Sequence, residues 1–170
     1  MEVYEVLNKV QSGVQSLTAI KTAHQCLQIG VGDHDFIIGS YSAIKSSRSF
    51  AMNDSRYTLA LITRNHTEYI PKDRNGENGV VFNYDQVVNA SIAVIYGTIE
   101  KPNGIKQSTL YTDVANVRDK IINVTGNQYI ELKEINEQGD FLEPFGISKE
   151  INIYIGFRID FTITIEFQRS

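Results

Sequence analysis

A chain of 170 residues with 42% hydrophobic residues is the size of one domain, 1–170, and can bury a core without disulfide or metal staples. Its net charge of −4 is the wrong sign for a surface that wraps a phosphate backbone. The lone Cys26 excludes an internal disulfide, no run approaches the roughly 20 apolar residues that span a bilayer, and Met1–Val10 lacks the pattern of a signal peptide, so a soluble intracellular or virion protein is expected.

Val3, Leu7, Val10, Val14, Leu17 and Ile20 recur at spacings of three and four and predict an amphipathic helix, extended toward Leu27 and stopped by Gly30 and Gly32. Gly13 weakens that helix by about 1 kcal/mol relative to Ala, so docking of its apolar stripe must supply most of its stability. Phe36–Ile38 reads as a short strand and Ser40–Asn53 as a loop. Tyr57–Thr63 is apolar on both faces and predicts a strand interior to a sheet. Turn residues and alternating charge make Pro71–Gly79 an exposed loop.

Extended structure resumes at Val80–Phe82, and Val88–Ile99 predicts a long strand with Val88, Ala90, Ile92, Val94 and Tyr96 on one face. Leu110, Val114, Val117, Ile121 and Val124 then mark a second helix, with Ser108 or Thr109 as its N-cap and Gly126 at its stop. Tyr129–Ile135 alternates as a strand. Asn136–Gly139 turns the chain, and Phe141–Gly146 leads to the last element.

That element organises the rest. From Ile151 to Phe167 every odd position is Ile or Phe, while the even positions carry Asn152, Tyr154, Gly156, Arg158, Asp160, Thr162, Thr164 and Glu166. Such a strand would run roughly 55 Å, so a bend or bulge is expected near Gly156. A one-residue slip would put nine large apolar side chains into water, which fixes the register of the sheet. Phe161, Ile163 and Ile165 face the core and Thr162 faces out. The fold class is α+β, a mostly antiparallel sheet with two helices packed on one face.

Chemistry is sparse. Asp33-His34-Asp35, with His24 and Cys26 before it, is the densest cluster of metal-capable residues, but adjacent residues rarely converge on a metal, and a polar loop explains them. Gly30-Val31-Gly32 lacks the third glycine of a dinucleotide fingerprint. Cys26 reads as a small buried hydrophobe, and Asn-x-Ser/Thr sequons at Asn53, Asn65, Asn89 and Asn123 fit chance in an Asn-rich chain. Arg158 and Asp160 read as an exposed ion pair worth 1 kcal/mol or less, on a sheet face that is solvated or meets another subunit. No catalytic residue, cofactor or metal is expected.

The order of elements, Val3–Leu27, Tyr57–Thr63, Val88–Ile99, Ser108–Val124 and Ile151–Phe167, with the closing alternation Phe161-Thr-Ile-Thr-Ile-Glu-Phe167, resembles that of phage tail-terminator (tail-completion) proteins of long-tailed phages. The resemblance implies a non-enzymatic virion protein, assembled in the host cytoplasm and located in the tail or neck. It would form a ring, usually of six copies, that caps the tail tube protein, offers a surface to the head–tail connector protein, and lets DNA pass through its lumen without specific binding. Arg158 and Asp160 on the long strand, and Lys72, Asp73, Arg74 and Glu77 in the exposed stretch, are the candidate interface residues. The competing expectations are a small-ligand or enzymatic α+β domain, with its pocket between sheet and helices, and another head–tail neck protein.

Overall fold

The computed structural model describes residues 2–25, 28–31, 35–39, 47–51, 58–75, 81–98, 107–124, 126, 129–137, 139–150, 152 and 154–169. Their order is α1 (Val3–Gln15), β1 (Thr22–Gln25), β2 (Gln28–Val31), β3 (Asp35–Gly39), β4 (Ser47–Ala51), β5 (Leu59–Asn75), β6 (Val81–Thr98), α2 (Gln107–Asn123), β7 (Ile130–Asn136), a one-turn 3-10 helix (Glu143–Phe145) and β8 (Tyr154–Arg169). Five strands form one sheet in the order β1-β5-β6-β8-β7, antiparallel except where β1 runs parallel to β5; β2, β3 and β4 pair as a separate antiparallel sheet.

Both helices pack on one face of the five-stranded sheet. Val3, Val6, Leu7, Val10 and Val14 of α1 and Val114, Val117 and Ile121 of α2 share a core with Ala60, Ile62, Val88, Ala90, Ile92, Val94, Phe157, Ile159, Phe161, Ile163 and Ile165. The expected α+β class and the inward direction of Phe161, Ile163 and Ile165 are therefore observed. Leu59 and Leu61 belong to a core on the opposite face while Ala60 and Ile62 belong to this one, as a strand apolar on both sides requires.

Helix α1 is shorter than its periodicity predicts. It ends at Gln15, and Leu17 and Ile20 fill the same core from a turn in which the Ile20 N–H donates to the Leu17 carbonyl (3.1 Å). His24 consequently lies on strand β1, and Gly30 lies in β2 instead of stopping a helix. At the helix start the Glu2 N–H donates to the Glu5 carboxylate (3.4 Å), which occupies a backbone donor left over in the first turn. Gly13 has a packing role: a Cβ there would lie 2.8 Å from Val124 Cγ1, where the two helices meet. Helix α2 starts at Gln107, so Ser108 and Thr109 lie inside its first turn and do not cap it. Its end is as expected, with Gly126 in the left-handed region at φ 63°.

Ser40–Asn53 is not all loop, since β4 occupies Ser47–Ala51; Asp33, His34 and Cys26 lie outside the described residues. Strand β5 runs on through most of the stretch expected to be a loop, and β6 joins the two extended pieces expected between Val80 and Ile99 into one strand. Together they form a hairpin paired from Leu59↔Ile95 to Asn75↔Val81, with register shifts at Arg64/His66 and Pro71/Arg74. The bulge expected near Gly156 is present, though the extra residue is on the partner strand, between Ile95 and Gly97 of β6. A Cβ on Gly156 would collide with the Val94 carbonyl oxygen and come within 2.9 Å of Phe141 Cε2, so the strand and its cover approach this closely only because the residue is glycine.

Phe141 explains the close approach. Phe141, Leu142, Phe145 and Ile147, carried on the 3-10 turn and its flanks, cover Leu59, Leu61, Ala93, Ile95 and Tyr154 on the face away from the helices. Gly146, at φ 91°, turns the chain out of the 3-10 helix; Asn152 then donates to the Gly139 carbonyl and accepts from the Tyr154 N–H (2.9 Å), fastening this cover to the start of β8.

Candidate assembly surface

The sheet is longer than its covering. β5, β6 and β8 have 17, 18 and 16 residues, a length of roughly 50–60 Å at about 3.3 Å per residue. The flanking strands are short: β1 pairs only with Leu59–Ile62, and β7 only with Arg158–Ile163 of β8. Past Ile62 no described strand flanks β5, and past Ile163 β5, β6 and β8 continue as a three-stranded blade; Arg64–Pro71 of β5 are all exposed. Tyr69 and Ile70 stand on opposite faces of the blade with 59% and 46% of their surface open, unusual for such large side chains at the middle of a strand.

On the face away from the helices, register places His66, Glu68 and Ile70 of β5, Asp85 and Val87 of β6, and Thr164 and Glu166 of β8 side by side. His66 Nε2 lies 3.3 Å from Glu68 Oε1 in an exposed pair. Asp85 is directly opposite Glu166, so this face carries three carboxylates within a few strand positions. Lys72, Asp73 and Arg74 occupy the end of β5 and belong to the hairpin, not to a free loop; Glu77 lies outside the described residues.

Where the blade leaves the covered part of the sheet, a chain of polar groups crosses the strands. Asn65 donates to Ser91 (2.8 Å), Ser91 donates to Asp160 Oδ1 (2.5 Å), and Arg158 Nε donates to the same oxygen (2.9 Å). Arg158 Nη1 continues the chain to the Asp140 carbonyl (2.9 Å) on the covering segment. The Arg158 and Asp160 side chains are only 10% and 24% exposed. This corrects the expectation of an exposed, solvated pair: the covering segment meets it through the Asp140 carbonyl, and the pair ties β5, β6, β8 and that segment into one unit. Thr162, expected to face out, is likewise 5% exposed, and its hydroxyl bonds Asn89 (3.3 Å).

On the helix side, the buried Tyr96 hydroxyl donates to Asp113 of α2 (2.6 Å). Burial first, then that hydrogen bond, hold the Tyr96 hydroxyl far above the ordinary tyrosine range. Asp113, Asn116 and Val117 line a cavity of about 230 Å³ with the Leu17–Ile20 turn. That is below the ~300–1,000 Å³ of small-molecule pockets. Among the described residues no group of three or more His, Cys, Asp or Glu is placed to hold a metal, and no helix is long and apolar enough to cross a membrane.

Sequence reasoning singled out Arg158 and Asp160 but missed Asn65, Ser91 and Asp140. Ser91 did leave a signal, as one of two polar residues, with Asn89, inside the otherwise apolar run from Val87 to Tyr96. No protein-family model matches the chain, and no curated protein matches it in sequence. What fold and site define is a class: an α+β protein whose sheet extends as a partly bare blade beyond its core.

Proposed function

We propose that this protein is a structural subunit of a phage tail, a ring-forming tail terminator that caps the tail tube and presents the surface on which the head–tail connector docks. The observation that carries the proposal is the blade. Three strands of 16 to 18 residues continue past the helices and the 139–147 cover, and they carry Tyr69 and Ile70 exposed on opposite faces. A sheet that outgrows its own core is suited to completion by neighbours, and assembly is the role that needs it.

The charge supports a DNA conduit. Six copies at −4 give a ring of about −24, and the carboxylates of Glu68, Asp85 and Glu166 share one face of the blade. Lining a lumen with that face would repel phosphate and let DNA pass without sticking. The buried Arg158–Asp160 pair is assigned no contact with a neighbour; the interface is assigned to the blade, including the Lys72–Arg74 stretch.

Electron microscopy of particles assembled without this protein tests the proposal. Tails of uncontrolled length that fail to join heads are expected. Tails of uniform length, properly attached, would overturn the terminator reading.

A further inference from the structure

We infer that the ring is closed by strand addition, with the outer edge of β8 in one copy docking in parallel on the outer edge of β5, at His66–Ile70, in the next. The inference rests on the ring reading and names the contact that builds the ring.

The fold treats its edges unequally. At β1, the edge turned away from β5 is finished by side chains of α1: Gln11 donates to the Ala23 carbonyl (2.9 Å) and Gln15 accepts from the Ala23 N–H (3.2 Å). Those amides stand in for a missing strand. At β7, the outer edge is short, interrupted by a register shift at Leu132/Glu134, and carries Glu131, Lys133 and Glu134. Both are ordinary ways of blunting an edge. On the blade, between the two β5 bulges, no described side chain stands in for a strand, and the one described edge charge pair, His66–Glu68, lies on a single face. Over His66–Ile70 no strand among the described residues lies outside β5, and Tyr69 and Ile70 flank that edge on its two faces.

The opposite side of the same blade is open as well. Pairing of β8 with β7 stops at Ile163, the Thr164 N–H reaches the Tyr129 carbonyl (2.9 Å), and from Ile165 to Arg169 no described strand follows. Among the described residues one blade therefore has two open edges. Because β5 and β8 are each antiparallel to β6, they run in the same direction. A rotation about an axis along the strands carries the β8 edge of one copy onto the β5 edge of another without reversing either strand or exchanging the faces. That is a heterologous contact, the kind that closes into a ring when its rotation divides a full turn. A parallel strand is already accepted by the lower part of the same β5 edge, where β1 lies on Leu59–Ile62, so the incoming strand extends an existing pattern.

Disulfide trapping tests the inference. In a Cys26→Ser background, one cysteine replaces His66, Glu68 or Ile70 and a second replaces Thr164 or Glu166, all on the face away from the helices. Within one chain these positions are separated by β6, about 10 Å apart, too far for a disulfide, whereas parallel neighbours are about 5 Å apart. Mild oxidation of the assembled protein should give a ladder of cross-linked oligomers for at least one pairing, and none for the single-cysteine parents. If native mass spectrometry shows a ring but no pairing cross-links, strand addition is overturned and the ring reading survives. Dimers from a β5 cysteine alone would overturn it in favour of a two-fold β5–β5 contact. A monomer at every concentration would overturn both. Cross-linked rings, with normal tails in particles lacking the protein, would uphold the inference and sink the terminator reading.

Discussion

The five-stranded base and the three-stranded blade are built from the same strands, yet they are stabilised in different ways. At the base, two helices cover one face and the Phe141–Ile147 segment the other, so residues of both parities along β5, β6 and β8 are buried. In the blade, Arg64–Pro71 are all exposed and alternation along β8 resumes, with Ile165 buried but Thr164 and Glu166 exposed. Strand length and fold stability therefore need not go together. The base accounts for the stability, and the blade adds length that the two helices and the Phe141–Ile147 segment do not cover.

The sharpest way to break this contrast is a charge on each side of one position. Ile163→Asp places an unpaired carboxylate in the helix-side core and costs several kcal/mol out of a total of ~5–15 kcal/mol, enough to abolish the folded state. Thr164→Asp, one residue along, should melt within a few degrees of the parent. Equal melting temperatures would mean that the faces of β8 are assigned wrongly.

Removing one partner of the cross-strand tie comes next. Arg158→Ala leaves Asp160 partly buried with the Ser91 hydroxyl donating to it and no compensating charge, and a loss of ~3 kcal/mol is expected by urea denaturation. A loss under ~0.5 kcal/mol would return the pair to the class of surface ion pairs. Glycines grade the same contrast. Gly156→Ala meets a backbone carbonyl and should cost about 1–3 kcal/mol or more, whereas at Gly13 the clash is with the tip of a side chain and the ~1 kcal/mol gain in helix propensity offsets much of it.

Alkaline titration separates the base by its buried tyrosines. Burial raises the hydroxyls of Tyr96 and Tyr154 above the ordinary value of about 10. Below that pH both folded and unfolded chains keep the proton; above it only the unfolded chain ionises, so stability falls as pH rises past ~10. Tyr96→Phe should lower stability at neutral pH by ~1–2 kcal/mol through loss of the Asp113 bond, and should flatten the alkaline decline. An unchanged slope would contradict the buried state of the hydroxyl. The smallest effect is expected on the blade: Tyr69→Ser with Ile70→Thr should change monomer stability by no more than ~0.5 kcal/mol each while weakening assembly.

How much of this is readable in the sequence follows from which contacts are periodic. The odd residues of β8 and the heptad-like stripe of α2 repeat, so the helix-side core and the α+β class can be read directly. The cover on the second face cannot, because Phe141, Leu142, Phe145 and Ile147 follow no regular period. Without it, Arg158 looks solvent-facing by alternation alone. Leu17 and Ile20 mislead in the opposite sense: they extend the helical spacing of α1, but their burial is served equally well by a turn. The blade is hidden by local propensity, since Pro71–Asn75 has turn chemistry that hairpin pairing with Tyr84–Val81 overrides.

Hydrogen exchange on the dispersed and the assembled protein tests the division between base and blade most directly. Amides of Leu59–Ile62, Ile92–Val94 and Phe157–Phe161 should be protected in both states, while those amides of His66–Ile70 and Ile165–Arg169 that point away from β6 should exchange quickly when dispersed and become protected on assembly. Equal exchange at those amides of His66–Ile70 in the two states would contradict that division.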